Sequence, residues 1–144
     1  MHNNRASVLA RITALYVDKL ASPILEPFGL SLAQYKILGY LYRKPKDKVT
    51  TGELETYFQM SHSTSVGLLN HLEASGFIKR EKRPGSGRSK AILLTPKAKT
   101  IEDDLEAAGL QLEKAFTARL SADEAAEYIR LSRKILDIPE GEED

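Results

Sequence analysis

Residues 50–95 constrain this chain more than any other stretch. Thr50-Thr51-Gly52-Glu53 has the pattern of a helix start: a hydroxyl that can accept the amide three residues on, and a glutamate at that third position. Met60-Ser61-His62-Ser63-Thr64 predicts a tight turn into a second helix. Ser75-Gly76 predicts its end, because glycine takes the left-handed conformation that closes a helix. Residues 77–83 and 89–95 then predict two antiparallel strands joined by Pro84-Gly85-Ser86-Gly87-Arg88.

Helix, turn, helix and hairpin form the order of a winged helix-turn-helix, a unit that places a helix in a DNA groove. The charge pattern agrees with that order. A net charge of +1 conceals a strong segregation. Residues 79–99 hold eight bases (Lys79, Arg80, Lys82, Arg83, Arg88, Lys90, Lys97, Lys99) against Glu81 alone. Residues 101–144 hold thirteen acids and five bases, and everything up to residue 78 is close to balance. Clustered bases on one element are the footprint of a polyanion partner. A charge run is usually no more than a solvated surface. This one falls on the loop that the topology would send to DNA.

The remaining features exclude other classes. The 144 residues suit one domain, and 42% hydrophobic with 28% charged residues is ordinary for a globular protein. No apolar run is long enough to span a bilayer, and Met1-His2-Asn3-Asn4-Arg5-Ala6-Ser7 lacks the apolar core of a secretion signal. The cytoplasm is therefore the expected compartment. The absence of cysteine excludes disulfides, thiolate metal sites and cysteine redox sensing. His62 and His71 lie nine residues apart on one helix, about 13.5 Å along its axis and on opposite faces, so they cannot share a metal. Ser61-His62-Ser63 lacks a nearby orienting carboxylate in sequence, and adjacent helical residues do not face each other. Gly85-Ser86-Gly87 lacks the lysine and following helix of a phosphate loop. We therefore expect no cofactor, no metal and no enzyme activity.

The flanks read as helices. Asn3 or Asn4 could cap a first helix with a stripe of Leu9, Ile12, Tyr16 and Leu20, broken or kinked by Pro23 after Ala21-Ser22. Ser31 and Gln34 predict a capping box, with Leu30 and Tyr35 placed to staple it, for a helix running to about Arg43. Pro45-Lys46-Asp47-Lys48 reads as a charged loop. Thr50 and Glu53 predict a second box with Val49 stapled to Leu54, and Leu54, Tyr57 and Phe58 as the buried side of its helix. Leu68, Leu69 and Leu72 predict the inner face of the next. Thr95 caps and Pro96 opens a helix of some six turns striped by Ile101, Leu105, Ala108, Leu112, Ala115 and Phe116. Ser121 to Glu124 predict a last capping box, before a helix through Ala125, Tyr128, Ile129, Ser132 and Leu136.

The expected class is mainly α, with a small antiparallel hairpin as the wing. The expected organisation is a single unit, 1–144, with a winged helix-turn-helix lobe at 30–95, dimerisation helices at 1–29 and 96–138, and an acidic tail at 139–144. The middle is too small to bury both terminal stripes, which predicts a second copy of the chain. A twofold dimer also matches paired half-sites about 34–36 Å apart.

These residues resemble the MarR family, the multiple-antibiotic-resistance type of bacterial regulator. The resemblance lies in Gly29-Leu30-Ser31-Leu32-Ala33-Gln34-Tyr35-Lys36-Ile37-Leu38 after the first helix, and in Leu72-Glu73-Ala74-Ser75-Gly76-Phe77-Ile78 at the end of the recognition helix. It continues in Arg88-Ser89-Lys90, in Leu94-Thr95-Pro96-Lys97-Ala98 and in Leu120-Ser121-Ala122-Asp123-Glu124. It implies a homodimeric winged-helix regulator, often a repressor, that binds a palindromic operator. It further implies release by a small aromatic or phenolic molecule bound between the dimer and DNA lobes. Three departures stand out. Ser86 replaces the aspartate usual two residues before the wing arginine, Ser65 replaces a buried aliphatic, and Gly67 stands where a base is frequent.

The expected DNA-binding set is Thr50, Ser61, His62, Ser63, Thr64, Val66, Gly67, Asn70, His71, Arg83, Arg88, Ser89 and Lys90. The hydroxyls, Asn70 and the histidines offer partners for phosphates and base edges, and Val66 suits a thymine methyl. Gly67 lets the backbone approach, and Arg88 suits the minor groove. No arginine lies on the recognition helix, so the commonest bidentate guanine contact is missing there. Tyr16, Tyr35 and Tyr42 are the expected effector-pocket residues, although tyrosines at such positions are core by default. The alternative reading is a winged-helix module that binds protein and not operator DNA.

Overall fold

The computed structural model describes residues 4–44, 49–82 and 90–139. The expected loop at 45–48, the wing-tip residues Arg83, Arg88 and Ser89, and most of the acidic tail lie outside the described residues. The elements are α1 (Ala6–Leu25), a single 3-10 turn (Glu26–Phe28), α2 (Leu32–Arg43), α3 (Thr51–Phe58) and α4 (His62–Ala74). Strands β1 (Ile78–Lys82) and β2 (Lys90–Leu94) follow, then α5 (Pro96–Thr100), α6 (Glu102–Phe116) and α7 (Ala122–Leu136). The class is therefore mainly helical with one antiparallel hairpin. No helix among the described residues is long and apolar enough to cross a membrane.

Local chemistry sets most helix starts. The side chains of Ser31, Thr50, Ser61, Thr95 and Ser121 each accept the backbone N–H three residues on. Ser31 with Gln34, and Ser121 with Glu124, form complete capping boxes. Gly76, just past the end of α4, sits at φ +83°, a conformation glycine adopts without a Cβ penalty.

Five expectations need correction. The residue before α1 is Arg5, with no side-chain cap, so Asn4 does not cap the helix. Pro23 does not end α1, which continues to Leu25 because Ala21 and Leu25, on either side of it, are both buried. Glu53 does not close its capping box, since its carboxylate accepts the Tyr40 hydroxyl instead. Tyr57 is 40% exposed, so the buried side of α3 is Leu54 with half-buried Phe58. The long helix after Thr95 is broken at Ile101 into α5 and α6. Lys97 and Lys99 end the first piece and Glu102, Asp103 and Asp104 begin the second, so each sign complements its helix terminus.

The core centres on α2. Its Ile37, Leu38 and Leu41 join Leu54 of α3, Leu69 and Leu72 of α4, Ile78 and Ile92 of the hairpin, and Leu105 and Ala108 of α6. The hairpin runs in the register Ile78↔Leu94, Arg80↔Ile92 and Lys82↔Lys90, apolar at its root and charged outward. Its second strand is tied back where the Ile92 N–H donates to the Val49 carbonyl at 2.9 Å.

Apolar surface is left uncovered on the flanks. Leu9, Ile12, Leu15 and Tyr16 of α1 are exposed, and so are Tyr128, Ile129, Leu131, Ile135 and Leu136 of α7. Among the described residues, α7 buries none of its own side chains.

Gly109 is required by close approach. A methyl group there would overlap the Tyr35 hydroxyl, which crosses from α2 onto α6. Gly109→Ala is expected to destabilise the fold by about 1–3 kcal/mol, the usual cost of overpacking. Denaturant unfolding checks this, and a Tyr35→Phe background, which deletes the obstructing oxygen, is expected to recover part of the loss.

Candidate nucleic-acid interface

The outer face of α4 meets the hairpin and the start of α3 in one shallow concavity of about 370 Å³. Thr50, Thr51 and Gly52 form one wall, His62 and Val66 another, and Arg80 with Lys90 the third. The wall on the α3 side is the first turn of a helix, where backbone N–H groups favour an anion. The wing wall is cationic, and Lys82 lies directly across the ladder from Lys90. Like charges directly opposite repel, so this register is unfavourable until an anion lies between them.

Of the expected DNA-binding residues, the structure brings Thr50, His62, Val66 and Lys90 around this concavity. Ser61, Ser63 and Thr64 are exposed on the first turn of α4. The Ser61 hydroxyl accepts the Thr64 N–H at 3.2 Å and donates to the Thr64 hydroxyl at 2.9 Å. Gly67 is exposed, three residues beyond Thr64.

Asn70 and His71 are engaged elsewhere. The Asn70 side-chain carbonyl accepts from Arg80 Nη2 at 2.6 Å, and the same nitrogen pairs with Glu73 at 2.9 Å. With its oxygen occupied, Asn70 has its amide N–H groups left to offer. His71 is bound back to the scaffold, its Nδ1 lying 2.6 Å from Gln34 Nε2. Because the Gln34 oxygen accepts the Ser31 N–H, the amide nitrogen donates and His71 Nδ1 accepts.

Two residues absent from the expected set prove central. Arg80 joins the wing to α4, as above. Glu55 of α3 reaches under α4, where its Oε2 lies 2.9 Å from His62 Nδ1 and accepts the hydroxyl of Ser65. These hydrogen bonds, from Ser65 first and then His62, hold the Glu55 carboxyl below the usual carboxylate range. The one sequence signal for this cluster is Ser65 itself, a hydroxyl at a position that is 1% exposed.

The three expected effector tyrosines do not converge. Tyr35 and Tyr42 line one cleft of about 220 Å³, with Arg43, Glu102 and Glu106. Tyr16 packs elsewhere, its ring centroid 6.3 Å from that of Phe116. Burial, then the Glu102 charge, pushes the Tyr42 phenol up to about 12, and its hydroxyl donates to the Ala98 carbonyl. Burial, then Glu106, also raises Tyr35.

A helix-turn-helix whose second helix lies beside a basic two-stranded wing defines the winged helix-turn-helix class. A model of the MarR family matches residues 28–89. The multiple antibiotic resistance protein MarR of Salmonella typhimurium is 28% identical over 120 residues, covering 83% of this chain and 82% of the relative. An HTH-type transcriptional repressor of Mycobacterium tuberculosis is 27% identical over 114 residues, covering 79% and 81%. Among solved structures, a cysteine-to-serine variant of Escherichia coli MarR complexed with operator DNA superposes with a TM-score of 0.80 at 25% identity, covering 89% of this chain and 91% of that one. The chain is similar to members of the MarR family in sequence and in fold.

Gly67 gives this face an independent stability test. A Cβ at Gly67 meets nothing within 4 Å, and its φ is not positive. Gly67→Ala is expected to stabilise the fold by up to about 1 kcal/mol through helix propensity alone. Chemical denaturation reads this as a raised midpoint with an unchanged slope.

Proposed function

We propose that the chain is a homodimeric transcription repressor that binds a palindromic operator through the lobe at 30–95. The observation that carries this reading is the concavity shared by the start of α3, the outer face of α4 and the cationic wing. In this reading α4 enters the major groove. Ser61, Ser63 and Thr64 with Thr50 meet phosphates, His62 and Val66 face bases, and Gly67 admits the DNA backbone. Arg83, Arg88, Ser89 and Lys90 supply the wing contacts, with Arg88 in the minor groove. Asn70 and His71 contribute through the donors that their scaffold bonds leave available.

The operator-bound relative supports DNA as the partner, and the Mycobacterium repressor supports the direction of control. A second subunit is supported by the uncovered faces of α1 and α7. Ile135 at 79% exposure and Leu15 at 69% are large aliphatics for which a monomer gives no role. Helices in 1–29 and 96–138 then form the dimer. A small aromatic effector would enter beside Tyr35 and Tyr42, where the lobe meets α6.

The test is titration with duplexes selected from random DNA at two salt concentrations. Phosphate contacts predict affinity falling at least tenfold between about 50 and 200 mM salt. Binding equal at both concentrations, or absent at the lower, contradicts the reading. Arg88→Ala is expected to weaken the selected duplex about tenfold or more with the dimer mass unchanged. Unchanged affinity in a mobility-shift assay removes Arg88 from the interface.

A further inference from the structure

We propose that Glu55 is a positioning residue for His62, and that His62 so held presents a hydrogen-bond acceptor to the major groove and selects a base carrying an amino group. The inference rests on the DNA-binding reading above and adds to it a residue, a polarity and a base class.

The polarity follows from proton counting. His62 Nδ1 lies 2.9 Å from Glu55 Oε2, and an ionised carboxylate can only accept. The proton in that bond therefore sits on Nδ1. A neutral imidazole carries one N–H, so Nε2 holds a lone pair and is an acceptor. Nε2 has no hydrogen-bond partner among the described residues. The side chain is 78% exposed, in the concavity beside Val66 and Lys90. In the major groove the donors are adenine N6 and cytosine N4, whereas guanine and thymine present oxygen at the equivalent position. Phosphate oxygens are also acceptors, so a ring in this tautomer is matched to a base edge and mismatched to the backbone.

The wiring beneath explains Ser65. Its hydroxyl donates to the same Glu55 carboxylate, so a buried polar group on α4 and a carboxylate from α3 satisfy each other. An aliphatic residue at 65 would leave that oxygen without its second donor, and the carboxylate free to rotate away from His62. The departure at Ser65 is thus part of the reading apparatus. The same hydroxyl lies 2.9 Å from the His62 carbonyl, which gives it a partner when Glu55 is removed.

Two measurements test this at pH 8. Nitrogen-15 spectra of the free protein are expected to show His62 protonated at Nδ1, and at Nε2 in Glu55→Ala. Selection from random duplexes with the wild type is expected to yield adenine or cytosine at a symmetric pair of positions, favoured roughly tenfold over the exchanged base. His62→Ala and Glu55→Ala are expected to bind the preferred duplex more weakly, down to the level of the exchanged one, and so to lose that preference to within about twofold. Glu55→Gln, whose amide oxygen can accept the same proton, is expected to retain it. His62 is exposed enough for its alanine variant to fold whatever Glu55→Ala does. An Nε2-protonated wild-type ring overturns the inference. So does a His62→Ala protein that keeps the preference, or that weakens every sequence by one factor, as a phosphate contact would. A wild type that binds no duplex overturns the DNA-binding reading and the base selection with it. Normal duplex binding with the wrong tautomer overturns the present inference alone.

Discussion

The pose of α4 is fixed by side-chain ties more than by burial. The helix has 13 residues and buries Ser65, Leu69 and Leu72. From α2, Gln34 bonds His71; from α3, Glu55 holds Ser65 and His62. From β1, Arg80 grips Asn70 and Glu73. From α5, Lys97 donates to the Ser75 carbonyl at 2.6 Å and lies over the Phe77 ring. Unlike burial, these ties have direction. They fix rotation about the helix axis, which decides which side chains face outward.

The same ties connect folding devices to the candidate interface. Gln34 completes the capping box that starts α2 and then, with its other end, holds α4. Arg80 sits on the first wing strand and closes the gap between hairpin and helix. The root of the wing is therefore tied to the helix, with Lys90 lining the same concavity as His62. We propose that this unit is what reads DNA, and that the apolar faces of α1 and α7 join two copies of it.

What could be read from the sequence was what is local. Every Ser or Thr cap acts three residues away, and the hairpin follows from Gly76, two apolar roots and a polar connection. The break at Ile101 was hidden because an apolar stripe survives a one-residue interruption. At Pro23 the helix runs on to Leu25, because burial of its neighbours outweighs one lost backbone bond. The ties on α4 were illegible for a different reason. Ser65 and Glu55 are ten residues apart and Gln34 and His71 thirty-seven, with no period linking them. Glu53 illustrates the same limit, since Tyr40, thirteen residues back, captures the carboxylate that its own cap would have used.

The most direct measurement is the amide spectrum of the isotopically labelled protein during titration with a selected duplex. The account predicts that shifts concentrate at 50–52, at 61–67 and at Lys90, with little change along the outer faces of α1 and α7. Shifts confined to α1 and α7, with the concavity silent, would contradict it.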